Sequence, residues 1–90
     1  MRVKVKEIDH GLHPSQVVIR IESRDGPEEL VINRSLLDPN RKSIDVGQAV
    51  GRQPGAWLIE LPAETGSGAW RIWVNENEVI NGGGALEAAE

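Results

Sequence analysis

The residues best suited to metal chemistry in this chain of 90 residues are its two histidines, His10 and His13. With Asp9 they form an Asp-His-x-x-His motif in a segment that Gly11 and Pro14 mark as a loop. A metal site needs three or four converging ligands, of which imidazole is the commonest. The chain has no cysteine and no evident further ligand beside Asp9. We expect solvated loop histidines and no bound metal or other cofactor, with His10 and His13 as weak metal candidates.

Three further patterns are compatible with catalysis or anion binding, and each has a simpler structural explanation. Ser15 lies close to His13, but a nucleophile–base pair also needs an orienting acid and an oxyanion hole. Gly47 and Gly51 are spaced to cradle an anion, yet the Lys-Ser/Thr ending of a phosphate loop is missing. Glutamate pairs such as the one at positions 60 and 64 need a partly dry pocket for acid–base work. We therefore expect no enzymatic activity.

The composition describes one small domain with an aliphatic core. Hydrophobic residues make up 39% of the chain and aromatic residues only 3%, so Val, Ile and Leu must fill the interior. The absence of cysteine excludes disulfides and thiol chemistry. No apolar run approaches the roughly 20 residues of a membrane span, so we expect a soluble, cytoplasmic protein without a membrane partner. The net charge of −4 makes general binding to a phosphate backbone unfavourable.

Alternating apolar residues and regular turn signals predict an all-β fold. Strong turns are expected at residues 24–27, which contain Asp-Gly-Pro, and at the Thr-Gly-Ser-Gly of residues 65–68. We predict a small barrel of five to six strands over residues 1–81, followed by a flexible, Gly-rich and acidic tail over 82–90. The predicted strands cover residues 3–6, 16–23, 28–33, 44–46, 57–61 and 70–74, with a last two-residue strand at 79–80.

The order of elements over residues 44–80 resembles the end of a Src-homology-3-like small barrel. In that family a strand opening with Trp leads through a distal hairpin to another strand, a tight helical turn and a short final strand. Here Trp57 opens the first of these strands, and residues 75–78 would form the helical turn. The resemblance implies the barrel shape only. Peptide-binding members resemble one another in a Pro and a Tyr of the tight turn, whereas this chain has Asn75 there and no Tyr.

The strand over residues 70–74 is expected to separate two tryptophans. Side chains alternate along a strand, so Trp70, Ile72 and Val74 are predicted to face the core. Trp73 and Arg71 are then predicted to face outward. This assignment makes Trp73 the strongest candidate for binding another molecule.

An outer apolar surface follows from the same alternation, and two interpretations of it remain open. The strands of a small barrel can coil so that these residues are covered. Alternatively, they form an exposed patch with Trp and Arg, residue types enriched at binding hot spots. We then expect a non-enzymatic protein-interaction module that binds a protein partner or a second copy, with Arg71 stacked on Trp57 or Trp73. The predicted binding residues are Val18, Val31, Leu58, Arg71 and Trp73.

A nucleic-acid-binding barrel is the alternative function. Arg2, Lys4 and Lys6 alternate along the first strand, and with Arg20 and Trp73 they would provide cations and a stacking surface. Charged residues also protect the edge strands of ordinary sheets from aggregation, which explains the same pattern without nucleic acid. Because the whole chain is acidic, nucleic acid is the less favoured partner.

Overall fold

The computed structural model describes residues 1–80, and the all-β prediction is confirmed for this part of the chain. Two short 3₁₀ turns, Arg34–Leu36 and Glu76–Glu78, are its other regular elements. The tail predicted over 82–90 lies outside the described residues. The strands are β1 (Arg2–Lys4), β2 (Lys6–His10), β3 (Gln16–Ser23), β4 (Gly26–Asn33), β5 (Ser43–Asp45), β6 (Gly51–Gln53), β7 (Ala56–Glu60), β8 (Arg71–Asn75) and β9 (Val79–Ile80).

The described strands form three antiparallel sheets and do not close into one barrel. Their orders are β5-β1-β9, β2-β3-β4 and β6-β7-β8. The predicted first strand divides at Val5, whose N–H donates to the carbonyl oxygen of Lys42 at 2.9 Å. As a result β1 pairs with β5 and β9, whereas β2 pairs with β3. The number of strands therefore exceeds the five to six that we predicted.

The longest hairpin joins β3 and β4 through a two-residue turn closed by Ser23 and Gly26. Gly26 has a φ of 121°, a conformation that residues with a side chain rarely adopt. We predicted that β4 begins at Glu28, because Pro27 lacks the N–H that a strand ladder uses. The strand instead begins at Gly26. Pro27 is tolerated because the pair next to the turn-closing pair makes no ladder hydrogen bond in an antiparallel hairpin.

The core is aliphatic, as the composition predicted, and its residues come from all three sheets. Ile72 and Val74 of β8 are buried, which confirms their predicted inward orientation. Trp70 is 55% exposed, so its predicted place in the core is wrong. The buried hydrophobic cluster consists of Val3, Val17, Ile19, Ile21, Leu30, Ile32, Ile44, Ile59, Leu61, Ile72 and Val74.

Backbone hydrogen bonds outside the ladders connect the second sheet to the third. The Arg24 N–H in the β3–β4 turn donates to the Trp73 carbonyl oxygen at 2.7 Å, along the free edge of β8. The Gly66 N–H in the loop before β8 donates to the Glu29 carbonyl oxygen of β4 at 2.9 Å. These two contacts fix the orientation of the sheet that carries two of the three tryptophans.

Candidate functional site

An apolar cluster lies on the outer face of the sheet β6-β7-β8. Leu58 on β7 is directly opposite both Trp73 on β8 and Gly51 on β6. The adjacent pair, Ile59 and Ile72, is buried in the core, and side chains alternate along each strand. Leu58 and Trp73 therefore face away from the core, and both are half-buried. Gly51, Leu58 and Trp73 are termed the tryptophan platform below.

The missing side chain at Gly51 determines how the platform packs. A Cβ atom at this position would lie 3.0 Å from Leu58 Cβ and 3.6 Å from Trp73 Cη2. The indole and the leucine therefore occupy space that a side chain on β6 would otherwise fill. This contact with a neighbouring strand explains why Trp73 is half-buried although it points away from the core.

Polar side chains border the tryptophan platform at both ends. On one side, Arg71 Nη2 lies 3.1 Å from Glu60 Oε2, and this pair faces outward on the same side of the sheet. On the other side, Arg24 Nε donates to Asn75 Oδ1 and Arg24 Nη1 donates to Gln53 Oε1, each at 3.2 Å. An apolar centre within a polar rim is the usual anatomy of a protein-binding surface.

The cation–π contact in the described part of the chain involves Arg52, not Arg71. The guanidinium carbon of Arg52 lies 4.7 Å from the ring centre of Trp57, which packs partly against the core. Arg71 instead donates from Nε and Nη2 to Glu60. The predicted stacking of Arg71 on Trp57 or Trp73 is therefore wrong, since the carboxylate opposite Arg71 on β7 engages its guanidinium.

Two other predicted binding residues, Val18 and Val31, lie on a different sheet. They are directly opposite each other on β3 and β4; Val31 is 43% exposed and Val18 is half-buried. The next outward pair on this face is Arg20 and Glu29, joined by an ion pair of 2.8 Å. The structure thus places the five predicted binding residues on two sheets, and the tryptophan platform contains the aromatic one.

Trp70 is an exposed aromatic residue that sequence reasoning missed. It precedes β8, which begins at Arg71, although its carbonyl oxygen still accepts from the Leu61 N–H at 2.8 Å. The alternation rule assumed that the strand already included Trp70. Because the chain bends at Trp70, alternation with Ile72 does not place the Trp70 side chain on the inner face. The signal available in the sequence was the turn residue Gly68, only two positions earlier.

The predicted basic strip does not form one free surface. Arg2 Nε donates to the buried Ser43 Oγ at 2.9 Å, and Arg20 is held in the ion pair just described. Lys4 and Lys6 are exposed. The nucleic-acid alternative remains a prediction, and the engagement of its two arginines within the chain weakens it.

The two histidines are exposed on β2 and in the loop after it. His10 Nδ1 lies 3.4 Å from Asp9 Oδ1, and its ring is largely in solvent. Over residues 1–80, no group of three or more His, Cys, Asp or Glu side chains is arranged to hold a metal ion. The geometry therefore gives the metal hypothesis for His10 and His13 no support.

Two aspartates have lowered pKa values, and each one closes a turn. The Lys42 N–H, 2.7 Å from Asp38 Oδ1, is the main cause that lowers the pKa of Asp38. The Gly47 N–H, 2.8 Å from Asp45 Oδ1, is the main cause that lowers the pKa of Asp45. Hydrogen bonds to the ionised form lower both pKa values, so both groups stay charged to a more acidic pH than an ordinary aspartate. Their role is to stabilise local backbone conformation.

Comparison with protein-family models, curated proteins and solved structures found no match. Within the described residues, no helix is long and apolar enough to cross a membrane. The geometry of residues 1–80 is therefore the basis on which a function can be assigned.

Proposed function

We propose that this chain is a non-enzymatic protein-interaction module whose binding surface is the tryptophan platform. The observation that carries the proposal is the outward cross-strand pair of Leu58 and Trp73. Tryptophan supplies a large apolar area with few rotatable bonds, so little conformational entropy is lost when a partner covers it. The partner is a second protein or another copy of this chain.

The rim of the platform suits a protein ligand. Arg71 and Glu60 are both more than half exposed, so their mutual ion pair contributes little to stability. A partner carboxylate can therefore replace Glu60 at small cost. Trp70, adjacent in sequence to Arg71 and exposed, adds a further aromatic group near this end of the platform.

The Src-homology-3-like arrangement and the cytoplasmic location are also part of this proposal. The arrangement is supported by the order of β7, the loop over 61–70, β8, the 3₁₀ turn Glu76–Glu78 and β9. Since Asn75 replaces the expected proline and the chain has no tyrosine, the proposal does not include binding of proline-rich peptides.

Substitution of Trp73 tests the proposed surface. The Trp73→Ala variant should lose specific partners that the wild-type chain captures from cells, or should lose self-association measured by sedimentation equilibrium. The matched control is Leu12→Ala, because Leu12 is 98% exposed in the loop after β2 and lies off the platform. Circular dichroism must show that both variants remain folded. Unchanged capture and unchanged self-association in a folded Trp73→Ala variant would overturn the proposal.

A further inference from the structure

A groove with cationic sides and an apolar floor lies where the described chain ends. Its volume is about 540 Å³, and its walls come from β1, β2 and the loop before β5. Ile80, the last described residue, forms part of the lining together with Val5. The residues that define this cationic groove are Lys4, Val5, Lys6, Arg41, Lys42 and Ile80.

Local contacts hold the cationic groove in shape. The Val5 N–H donates to the Lys42 carbonyl oxygen at 2.9 Å, which joins the two walls. The carboxylate of Asp38 accepts from the Lys42 N–H at 2.7 Å. Arg41 takes a left-handed φ of 61°, and its Nη2 atom lies 2.6 Å from Glu7 Oε2. The walls of the groove are therefore held together by a backbone hydrogen bond, a turn and an ion pair within the described residues.

The charge of the cationic groove is opposite to that of the chain as a whole. Its lining has four cationic side chains and one carboxylate, that of Glu7, whereas the chain has a net charge of −4. Among ion pairs between described residues, only the pair of Arg41 with Glu7 involves these cations. Lys4, Lys6 and Lys42 are exposed. A complementary ligand has carboxylates for the cations and an aliphatic group for the floor.

A segment of this chain has that chemistry and begins at the groove. Residues 81–90 read Asn-Gly-Gly-Gly-Ala-Leu-Glu-Ala-Ala-Glu and follow Ile80 directly. They contain one large aliphatic residue, Leu86, together with Glu87 and Glu90. An extended chain advances at most about 3.3–3.6 Å per residue, so Leu86 can reach about 20 Å from Ile80. The three glycines permit a sharp reversal of direction within that distance.

We propose that residues 86–90 bind in the cationic groove, with Leu86 against Val5 and Ile80 and the two glutamates beside the lysines. The short connection raises the effective concentration of the segment to the order of millimolar. A contact with a millimolar dissociation constant is then about half formed. This contact uses a surface other than the tryptophan platform. A test that refutes the proposed function therefore does not refute this contact, and the reverse also holds.

Paramagnetic relaxation enhancement in the full chain tests the contact. Because the native sequence has no cysteine, Ala89→Cys provides a single attachment site for a nitroxide spin label. In ¹⁵N-labelled protein at low salt, the amide signals of Lys4, Lys6 and Lys42 should broaden selectively relative to the reduced, diamagnetic form. The broadening should decrease at about 1 M salt, where the Debye length is about 3 Å.

Charge-reversal variants separate a specific contact from random encounters. The double variants Lys4→Glu/Lys6→Glu and Glu87→Lys/Glu90→Lys should each abolish the selective broadening, and the second leaves every described residue unchanged. Arg52→Glu, a reversal outside the groove, should preserve it. Broadening that is absent, uniform over the surface, or unaffected by both double variants would overturn the proposal. Selective broadening that persists when the spin label and the ¹⁵N label are on different molecules would overturn it too, because a second copy would then be the occupant.

Discussion

Replacing Gly51 with alanine tests the close approach of β6 and β7 under the tryptophan platform. A Cβ atom at this position would lie 3.0 Å from Leu58 Cβ, whereas Cβ atoms directly opposite each other on paired strands are about 4.5–5.5 Å apart. Overpacking costs roughly 1–3 kcal/mol. Alanine also lowers the conformational entropy of the unfolded chain, and this effect offsets about 0.4–1 kcal/mol of that cost. The middle of these two ranges leaves a net destabilisation of about 1–2 kcal/mol.

Urea unfolding followed by tryptophan fluorescence measures this effect. With a slope near 1 kcal/mol per molar urea for a small domain, the midpoint should fall by about 1–2 M. The matched control is Gly66→Ala, where the nearest atom to a new Cβ outside the two adjacent residues is the Glu29 carbonyl oxygen at 3.9 Å, and where φ is not left-handed. That variant should be unchanged or more stable by up to about 1 kcal/mol. A Gly51→Ala chain at least as stable as wild type would refute the close packing.

Three further predictions test other parts of the structure by the same unfolding measurement. Trp70→Ala should cost about 1 kcal/mol because the indole is largely in solvent, whereas Ile72→Ala should cost roughly 2–5 kcal/mol; equal costs would contradict the observed exposure. Since the pKa of Asp38 is lowered by folding, its contribution is present above the ordinary value of 3.8 and is lost as the pH falls through the folded value. Asp38→Asn should therefore be less stable than wild type at neutral pH and lose less stability on acidification; parallel pH curves would contradict this. Arg41→Gly should be more stable than Arg41→Ala by about 1 kcal/mol, because both lose the ion pair but only alanine strains a left-handed backbone; the reverse order would contradict the φ of 61°.

The alternation of side chains along a strand correctly predicted which residues are buried wherever the strand was long and regular. The inward residues of β3, such as Val17, Ile19 and Ile21, could be read directly from the sequence, because a period of two assigns them all to one face. The same rule failed at Trp70, since the chain bends just before β8 and alternation applies only inside a strand. It also did not predict that the first strand divides at Val5, because the two halves differ in their partner strands and not in their local pattern.

In the candidate site, too, some features were predictable from local alternation and others depended on strand pairing. Its outward direction was predictable, since Trp73 lies between the inward residues Ile72 and Val74. Its composition was not, because the contact of Gly51 with Leu58 and Trp73 depends on the pairing of β6 with β7. A glycine between two turns has no periodic signal that would identify it as part of a strand.

The amino-acid sequence by itself determined an all-β fold, an aliphatic core and the outward orientation of Trp73. These follow from composition and from the alternation of neighbouring residues, which are local properties of the chain. Only the tertiary structure decided that there are three sheets, that Trp70 is in solvent and that Lys4 and Lys6 share a groove with Arg41 and Lys42. Such groupings depend on which distant segments pair, and that choice is made by the free energy of the whole fold.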